Sequence, residues 1–184
     1  MLKESTQVKK GFTLMETLLA TTILMIVVSG VLGIASKSLY LTYAAREQIT
    51  AFYLAQEPIE YIRFIRDSNR LNGFPWLQSL AECQSATGNL KCVIDTQVLF
   101  FPPTASTIRS CPVAGCVERL RYETVTRSYT YTVLGTVATK YIRTTSITTP
   151  IGGNPDEARI DVTVSWTTNG VVRSVALNEY IYNW

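Results

Sequence analysis

The chain has 184 residues, 47 % of them apolar, which suits one globular domain with an extension. Its formal net charge is only +3, so a nucleic-acid partner is not favoured. There is no histidine, which removes the commonest general base and the commonest metal ligand. Catalytic motifs such as a nucleophilic serine elbow or a phosphate-binding glycine loop are also missing, so the sequence predicts no enzyme activity, no metal and no cofactor.

A short polar segment, residues 1–11, precedes a long apolar stretch, and two basic residues, Lys9 and Lys10, lie just before the boundary. No charged residue occurs in positions 17–35. Counted from Phe12, this stretch forms a helix of about 37 Å, which is long enough to cross a bilayer. The lysines are expected to hold the N-terminus in the cytoplasm, which leaves the bulk of the chain outside.

Glu16 does not fit an ordinary membrane anchor. A carboxylate within a membrane helix costs roughly 2.5 kcal/mol or more. The next basic residue along the helix is Lys37, about five turns away. The partner of Glu16 is therefore not expected within this helix.

The run at residues 10–16, KGFTLME, resembles the class III leader junction of type IV pilins and type II secretion pseudopilins. The resemblance implies that a prepilin peptidase cuts between Gly11 and Phe12 and that Phe12 is then N-methylated. It also implies that Glu16 attracts the amino terminus of a neighbouring subunit and so sets the stagger of adjacent subunits. The alternatives are a conventional signal peptide cut after Ala35 and an unprocessed membrane anchor.

The helix is expected to continue to about Asn69 as an amphipathic helix. Pro58 should kink it, and Arg63 can pair with Glu60 and Asp67. The predicted apolar stripe consists of Ala45, Ile49, Phe52, Ala55, Ile59, Ile62 and Ile65.

All four cysteines fall within residues 73–118, which resemble the variable loop region of pilins. An even number of cysteines in an exported domain favours disulfides, and three pairings are possible. The local pairings are preferred because each closes a short loop, with free thiols or a four-cysteine metal site as alternatives. These pairings are Cys83 with Cys92 and Cys111 with Cys116. A short strand is also expected at Val93–Phe100.

The last third of the chain predicts antiparallel strands, with the cleanest alternation of apolar and polar residues at Arg159–Trp166. Asn169-Gly170 suits the hairpin turn that follows. The other predicted strands are Ser128–Val137, Tyr141–Thr148 and Val171–Ile181. The fold class is therefore α+β and pilin-like, with one long N-terminal helix packed on a C-terminal antiparallel β-sheet. The expected divisions are residues 1–11, leader; 12–36, membrane half of the helix; 37–72, amphipathic half; 73–118, variable loop; and 119–184, sheet.

The sequence also offers a calcium site and a DNA-binding surface, and each has a simpler interpretation. Asn154, Asp156 and Glu157 offer oxygen ligands for calcium, although such a loop is more often a solvated turn. Basic residues near tyrosines in positions 119–143 offer a surface for stacked DNA bases, although cross-strand tyrosine packing explains the same residues.

The resemblance implies a structural subunit of a type IV pilus and favours a minor over a major subunit. The run IDVTVSW at residues 160–166, the Asn-Gly turn and the end in Asn183-Trp184 also resemble the C-terminal sheet of minor pilins and minor pseudopilins. The alternatives are a type II secretion pseudopilin and a membrane-tethered binding domain that forms no filament. The implied partners are prepilin peptidase, other pilin subunits through helix packing, and an assembly platform in the inner membrane. The precursor is expected in that membrane, and the mature subunit in an extracellular or periplasmic filament.

Overall fold

The structure is a computed structural model, and it describes residues 11–97, 107–112 and 115–184. The chain divides into two compact units, residues 1–46 and 47–184. The second unit is called the headpiece below. One helix, α1, covers Leu14–Leu71. The strands are β1 Gln84–Ser85, β2 Cys92–Ile94, β3 Ile108–Ser110, β4 Arg119–Glu123, β5 Ser128–Thr130, β6 Thr136–Thr148, β7 Glu157–Thr168 and β8 Val171–Tyr182.

The part of α1 in the first unit contains a stretch long and apolar enough to cross a membrane, and none of that stretch is buried within the chain. Its hydroxyl groups donate to carbonyl oxygens three or four residues earlier on the same helix, at 2.8–3.0 Å. Such bonds satisfy a hydroxyl without any partner from outside the helix, so these side chains are compatible with a lipid environment. They are Thr17, Thr21, Thr22, Ser29 and Ser36.

In the headpiece, β6 is the central strand of the sheet. One of its edges pairs antiparallel with β7. The other edge pairs in turn with β4, β2 and β1, and only the two-residue β1 runs parallel to it. The short strands β3 and β5 lie outside β2 and β4. The described part of residues 73–118 therefore contributes the strands β1, β2 and β3 to the sheet.

Strands β7 and β8 form a hairpin in which twelve consecutive residue pairs are in register. Asn169 and Gly170 connect them with φ values of 52° and 77°, the two positive angles that a type I′ turn requires. On β7 the residues Ala158, Ile160, Val162, Val164 and Trp166 are buried, as the alternating pattern predicts.

The half of α1 that belongs to the headpiece packs on this sheet through one face. This confirms the predicted α+β, pilin-like architecture. The buried residues of α1 are Ala51, Leu54, Ala55, Pro58, Ile59, Tyr61, Ile62, Ile65, Arg66 and Asn69.

The predicted apolar stripe is wrong in its first half. Ala45 is exposed, and Ile49 and Phe52 remain 56 % and 41 % exposed. The first buried residue is Ala51. Neighbouring residues on a helix are about 100° apart, so Phe52 lies a full step around from the face that Ala51 shares with Ile62. Apolar size and helical spacing alone predict that Ile49 and Phe52 are buried. The sheet instead covers the face of α1 that carries Ala51.

Two of the predicted strands also need correction. The strand predicted at Ser128–Val137 is two strands, because the chain turns between Thr130 and Thr136 and leaves Val133 exposed. Gly135, with φ of 72°, is part of that turn. Of the expected strand Val93–Phe100, only residues up to Ile94 are in β2, and residues 98–100 lie outside the described residues.

The ion pairs of α1 also differ in one partner. Arg63 pairs with Glu60 as predicted, but its second partner is Glu179 of β8. Asp67 pairs instead with Arg66. Pro58 is buried against the sheet, and the helix continues on both sides of it.

The corrected helix face predicts opposite responses to two isoleucine substitutions. Ile62 is fully buried, so Ile62→Ala should lower the free energy of unfolding of the headpiece by about 3 kcal/mol. Ile49→Ala, the matched change at an exposed position, should alter it by no more than about 0.5 kcal/mol. Denaturant unfolding of the full chain in detergent, followed by tryptophan fluorescence, measures both. Equal losses of unfolding free energy in the two variants would show that Ile49 is part of the core.

Candidate functional site

The N-terminal junction lies just outside helix α1. Gly11 and Phe12 precede the first helical residue, and 81 % of the Phe12 side chain is exposed. A Cβ added at Gly11 would meet no atom within 4 Å. The Gly11–Phe12 peptide bond is therefore in non-helical, accessible backbone. Lys9 and Lys10 lie outside the described residues.

Thr13 caps the N-terminus of α1. Its Oγ1 atom accepts a hydrogen bond from the Glu16 amide at 3.3 Å, and its carbonyl oxygen accepts one from the Thr17 amide at 3.2 Å. A threonine followed three residues later by a glutamate is the spacing of a capping box. Charge and hydropathy patterns do not show this role, whereas the Thr13-Leu14-Met15-Glu16 spacing does.

Glu16 lies in the first turn of α1 and is exposed. Its negative charge is favourable there, because the unpaired amides of a helix N-terminus carry partial positive charge. Among the residues that the structure describes, the ion pairs do not include Glu16. The geometry thus leaves a carboxylate beside the junction, on an apolar helix, with room for a cation from elsewhere.

Residues 7–32 match the model of the family described as the prokaryotic N-terminal methylation motif. The chain carries a class III prepilin leader. This leader is typical of type IV pilins and pseudopilins, and it implies processing by prepilin peptidase and assembly with other pilins. Together with the apolar helix, it is consistent with anchoring in the inner membrane before incorporation into a filament. No curated protein and no solved structure matches this chain significantly.

Within the headpiece, the buried guanidinium of Arg143 joins three elements. Arg143 is on β6, and its Nη1 atom donates to the Leu54 carbonyl at 3.0 Å and to the Glu57 carboxylate at 2.7 Å, both on α1. Its Nη2 atom donates to the Ile94 carbonyl on β2 at 2.7 Å. A fully buried charge needs such partners, because desolvation otherwise outweighs any gain.

A second polar cluster fixes α1 at the start of the headpiece. The Glu47 carboxylate accepts hydrogen bonds from Trp166 at 3.1 Å and from Thr168 at 2.6 Å, and it forms an ion pair with Lys140. The Tyr141 hydroxyl donates to the Glu47 carbonyl at 3.3 Å. The hydrogen bond from Lys140, then that from Thr168, lower the pKa of Glu47 below its ordinary value of 4.5.

Asp95, directly after β2, is the centre of a third polar cluster. It is buried and accepts hydrogen bonds from the Thr130 hydroxyl at 2.8 Å and from the Tyr131 amide at 3.0 Å. Burial, and then the charge of Asp95, raise the pKa of Tyr61 to about 12. The buried carboxylate therefore organises the turn between β5 and β6 from inside the headpiece.

The aromatic residues considered for base stacking form a ladder across the strands. Tyr122 contacts Tyr129, Tyr129 contacts Tyr141, and Tyr141 contacts Trp166, with ring centroids 5.2–6.5 Å apart. Three of the basic residues nearby make bonds within the chain: Arg143 and Lys140 as described, and Arg121 to Thr136. Tyr122, Tyr129 and Tyr141 thus have the cross-strand aromatic contacts that the simpler interpretation predicts.

The four cysteines form two disulfides, Cys83–Cys92 and Cys111–Cys116, the local pairings that the sequence favours. Cys83 and Cys92 are fully buried in the core, whereas Cys111 and Cys116 are half-buried at its margin.

Two of the residues considered for calcium, Asn154 and Asp156, make hydrogen bonds within the chain. Asn183 donates to the Asp156 carboxylate at 2.7 Å, and the Asp156 amide donates to the Asn154 side chain at 3.0 Å. No group of three acidic, cysteine or histidine side chains suited to a metal occurs among residues 11–97, 107–112 and 115–184.

The lowered pKa of Glu47 predicts a loss of stability in acid. Its charged form is favoured in the folded state, so this contribution is present above the ordinary value of 4.5 and is lost as pH falls through the lower folded pKa. Glu47→Gln should therefore be less stable than the unmodified chain at pH 7, and the difference should shrink below about pH 4.5. Unfolding curves between pH 7 and pH 3 measure it. Glu82→Gln, at an exposed position, is the control and should show no such convergence.

The two disulfides should differ in their reaction with reductant. The half-buried Cys111–Cys116 bond is expected to open first under mild reduction of the folded chain, and the buried Cys83–Cys92 bond only when the headpiece unfolds. Alkylation at increasing reductant concentration, followed by peptide mass spectrometry, gives the order. Simultaneous reduction of both bonds without unfolding would contradict the burial argument.

Proposed function

We propose that this chain is a minor pilin, a structural subunit of a type IV pilus that prepilin peptidase processes between Gly11 and Phe12. The observation that carries the proposal is the match to the N-terminal methylation motif at residues 7–32, directly at a capped apolar helix. The headpiece supports it, because a single amphipathic half of α1 on an antiparallel sheet is the expected pilin architecture.

The cap supports processing at this peptide bond. The hydrogen bonds of the cap that the structure describes lie within residues 13–17, so removal of residues 1–11 leaves these bonds in place. The peptidase acts on non-helical backbone, and the helix behind it stays intact. Hydrolysis creates a new amino group on Phe12, which the same enzyme class methylates. The charged amine is then the cation that the Glu16 carboxylate of a neighbouring subunit attracts.

The apolar surface of α1 supports assembly through helix packing. Large side chains such as Leu18, Ile23 and Val27 are more than half exposed, so they need either lipid or other helices around them. The hydroxyl groups of Thr17, Thr21 and Ser29 donate to carbonyl oxygens of their own helix, so they are compatible with lipid and with a packed helix bundle. A subunit can therefore leave the membrane for a filament core without uncovering unsatisfied hydroxyl groups at these positions.

The second candidate function is that of a type II secretion pseudopilin, since the same leader is typical of both groups. Deletion of the chain distinguishes them by phenotype. Loss of surface pili with normal protein secretion supports the pilus, and the converse supports the secretion system. Retention of both would favour a membrane-tethered domain that forms no filament.

Substitution of Gly11 tests the processing step. Gly11→Val adds a side chain where the structure has open space, so the fold should persist while cleavage is blocked at the peptidase. Intact mass and N-terminal sequencing, with and without co-expressed peptidase, should show methylated Phe12 for the unmodified chain and retained residues 1–11 for the variant. Gly30→Val, also in open space, is the control and should be cleaved normally. Cleavage after Ala35, or none in the unmodified chain, would reject the proposal.

Substitution of Glu16 separates assembly from processing. Glu16→Gln keeps the size of the side chain but removes its charge, so cleavage should be normal and incorporation into sheared filaments should fall at least tenfold. Glu60→Gln, an exposed helical position in the headpiece, is the matched control. If Glu16→Gln subunits enter filaments as well as the unmodified chain does, the charge of Glu16 has no role in assembly.

A further inference from the structure

Strand β8 forms a long open edge of the headpiece sheet. It pairs along its whole length, Val171–Tyr182, with β7, and within the described residues no strand pairs with its other side. The ladder to β7 is regular over twelve residue pairs, without a bulge. An edge of this length exposes a row of backbone donors and acceptors that can pair with another strand.

Three of the usual means of protecting a sheet edge, namely proline, lysine and a bulge, are missing from β8. It contains no proline and no lysine, and its charged residues are Arg173 and Glu179. Both are on the same face as the buried residues of β7, because they pair with Trp166 and Ile160. The five residues between them, 174–178, are uncharged. The edge is therefore open to a partner strand at its centre.

We propose that the edge of β8 pairs with β8 of a second copy of this chain, antiparallel, about a two-fold axis at Ala176. The two sheets then become one continuous sheet. The pairing is a property of the headpiece alone and does not depend on the leader, so it is tested separately from processing and filament assembly.

Charge complementarity selects this register. In an antiparallel pair centred on Ala176, Arg173 of each copy is opposite Glu179 of the other, which gives two favourable pairs on one face. A shift of the pairing by two residues leaves all four charges without an opposite charge across the interface. Arg63 already donates to one oxygen of Glu179, and a carboxylate can accept from two guanidinium groups at once.

The apolar residues of β8 agree with the same register. On the face of Arg173, Val175 is opposite Leu177 of the other copy, and both are half-buried in the single chain. On the opposite face, Val172 is opposite Tyr180, a pair of the β-branched and aromatic types that stabilise sheets. Because a two-fold contact closes on itself, it is a dimer contact and cannot be the repeating contact of a filament.

Cysteine substitutions at exposed positions of β8 test the register. Ala176→Cys should be crosslinked to itself by a short thiol crosslinker, because the two Cβ atoms at the axis would be about 5 Å apart. Ser174→Cys alone should not be, but a mixture of Ser174→Cys and Asn178→Cys chains should give the heterodimer. Thr163→Cys, opposite Ala176 on β7 and so one strand further from the axis, is the matched control and should give no crosslinked product. The full chain in detergent micelles is used, and products are separated on a non-reducing gel.

The charge pairs give an independent test in the Ala176→Cys background. Arg173→Glu places like charges opposite each other twice, so the crosslinked fraction should fall about tenfold, while circular dichroism shows the sheet unchanged. Crosslinking of Ala176→Cys together with the Ser174→Cys and Asn178→Cys mixture supports the proposed pair. A monomeric Ala176→Cys chain overturns it, as does self-crosslinking of Ser174→Cys alone, since both indicate that the edge has another partner or another register.

Discussion

The headpiece depends on a buried positive charge. The guanidinium of Arg143 lies between α1, β2 and β6, and it donates to two backbone carbonyls as well as to Glu57. Removing one partner from such a buried arrangement typically costs 3–5 kcal/mol, which is a large fraction of the stability of a domain this size. Apolar packing alone would allow the helix to slide or rotate on the sheet. The planar guanidinium of Arg143 can donate to the Leu54 carbonyl and the Glu57 carboxylate only when the helix lies in one position.

Glu47 has a complementary role at the other end of the contact. It receives bonds from residues of β6 and β7 at the first turn of α1 that belongs to the headpiece. Between Glu47 and Asn69 the helix is covered on one face, and in the first unit its apolar surface is open. One continuous helix thus serves two environments, and polar bonds rather than a break in the helix mark where the folded domain begins.

The fold class and the N-terminal site could be predicted from sequence because their signals are local. The leader run, the uncharged stretch at 17–35, the alternation of β7 and the Asn169-Gly170 turn each depend on neighbouring residues. The contacts of Arg143, Glu47 and Asp95 join residues 35 to 121 positions apart, and a basic residue in a strand reads as exposed until its partners are known. The predicted face of α1 is wrong at Ile49 and Phe52 because the buried face is also set by distant residues, those of the sheet.

The placement of the disulfides has a mechanical consequence. Neither covalent bridge includes a residue of α1, since both lie between residues 83 and 116. A pulling force that enters the headpiece along α1 therefore reaches the sheet first through the non-covalent contacts of Glu47 and Arg143, and through the main chain that follows Leu71 only after those contacts yield. The bridges hold closed only two short loops, Cys83–Cys92 and Cys111–Cys116. Under tension the helix would detach from the sheet while those loops stay closed, so the two polar clusters and the apolar face between them set the force at which the helix separates.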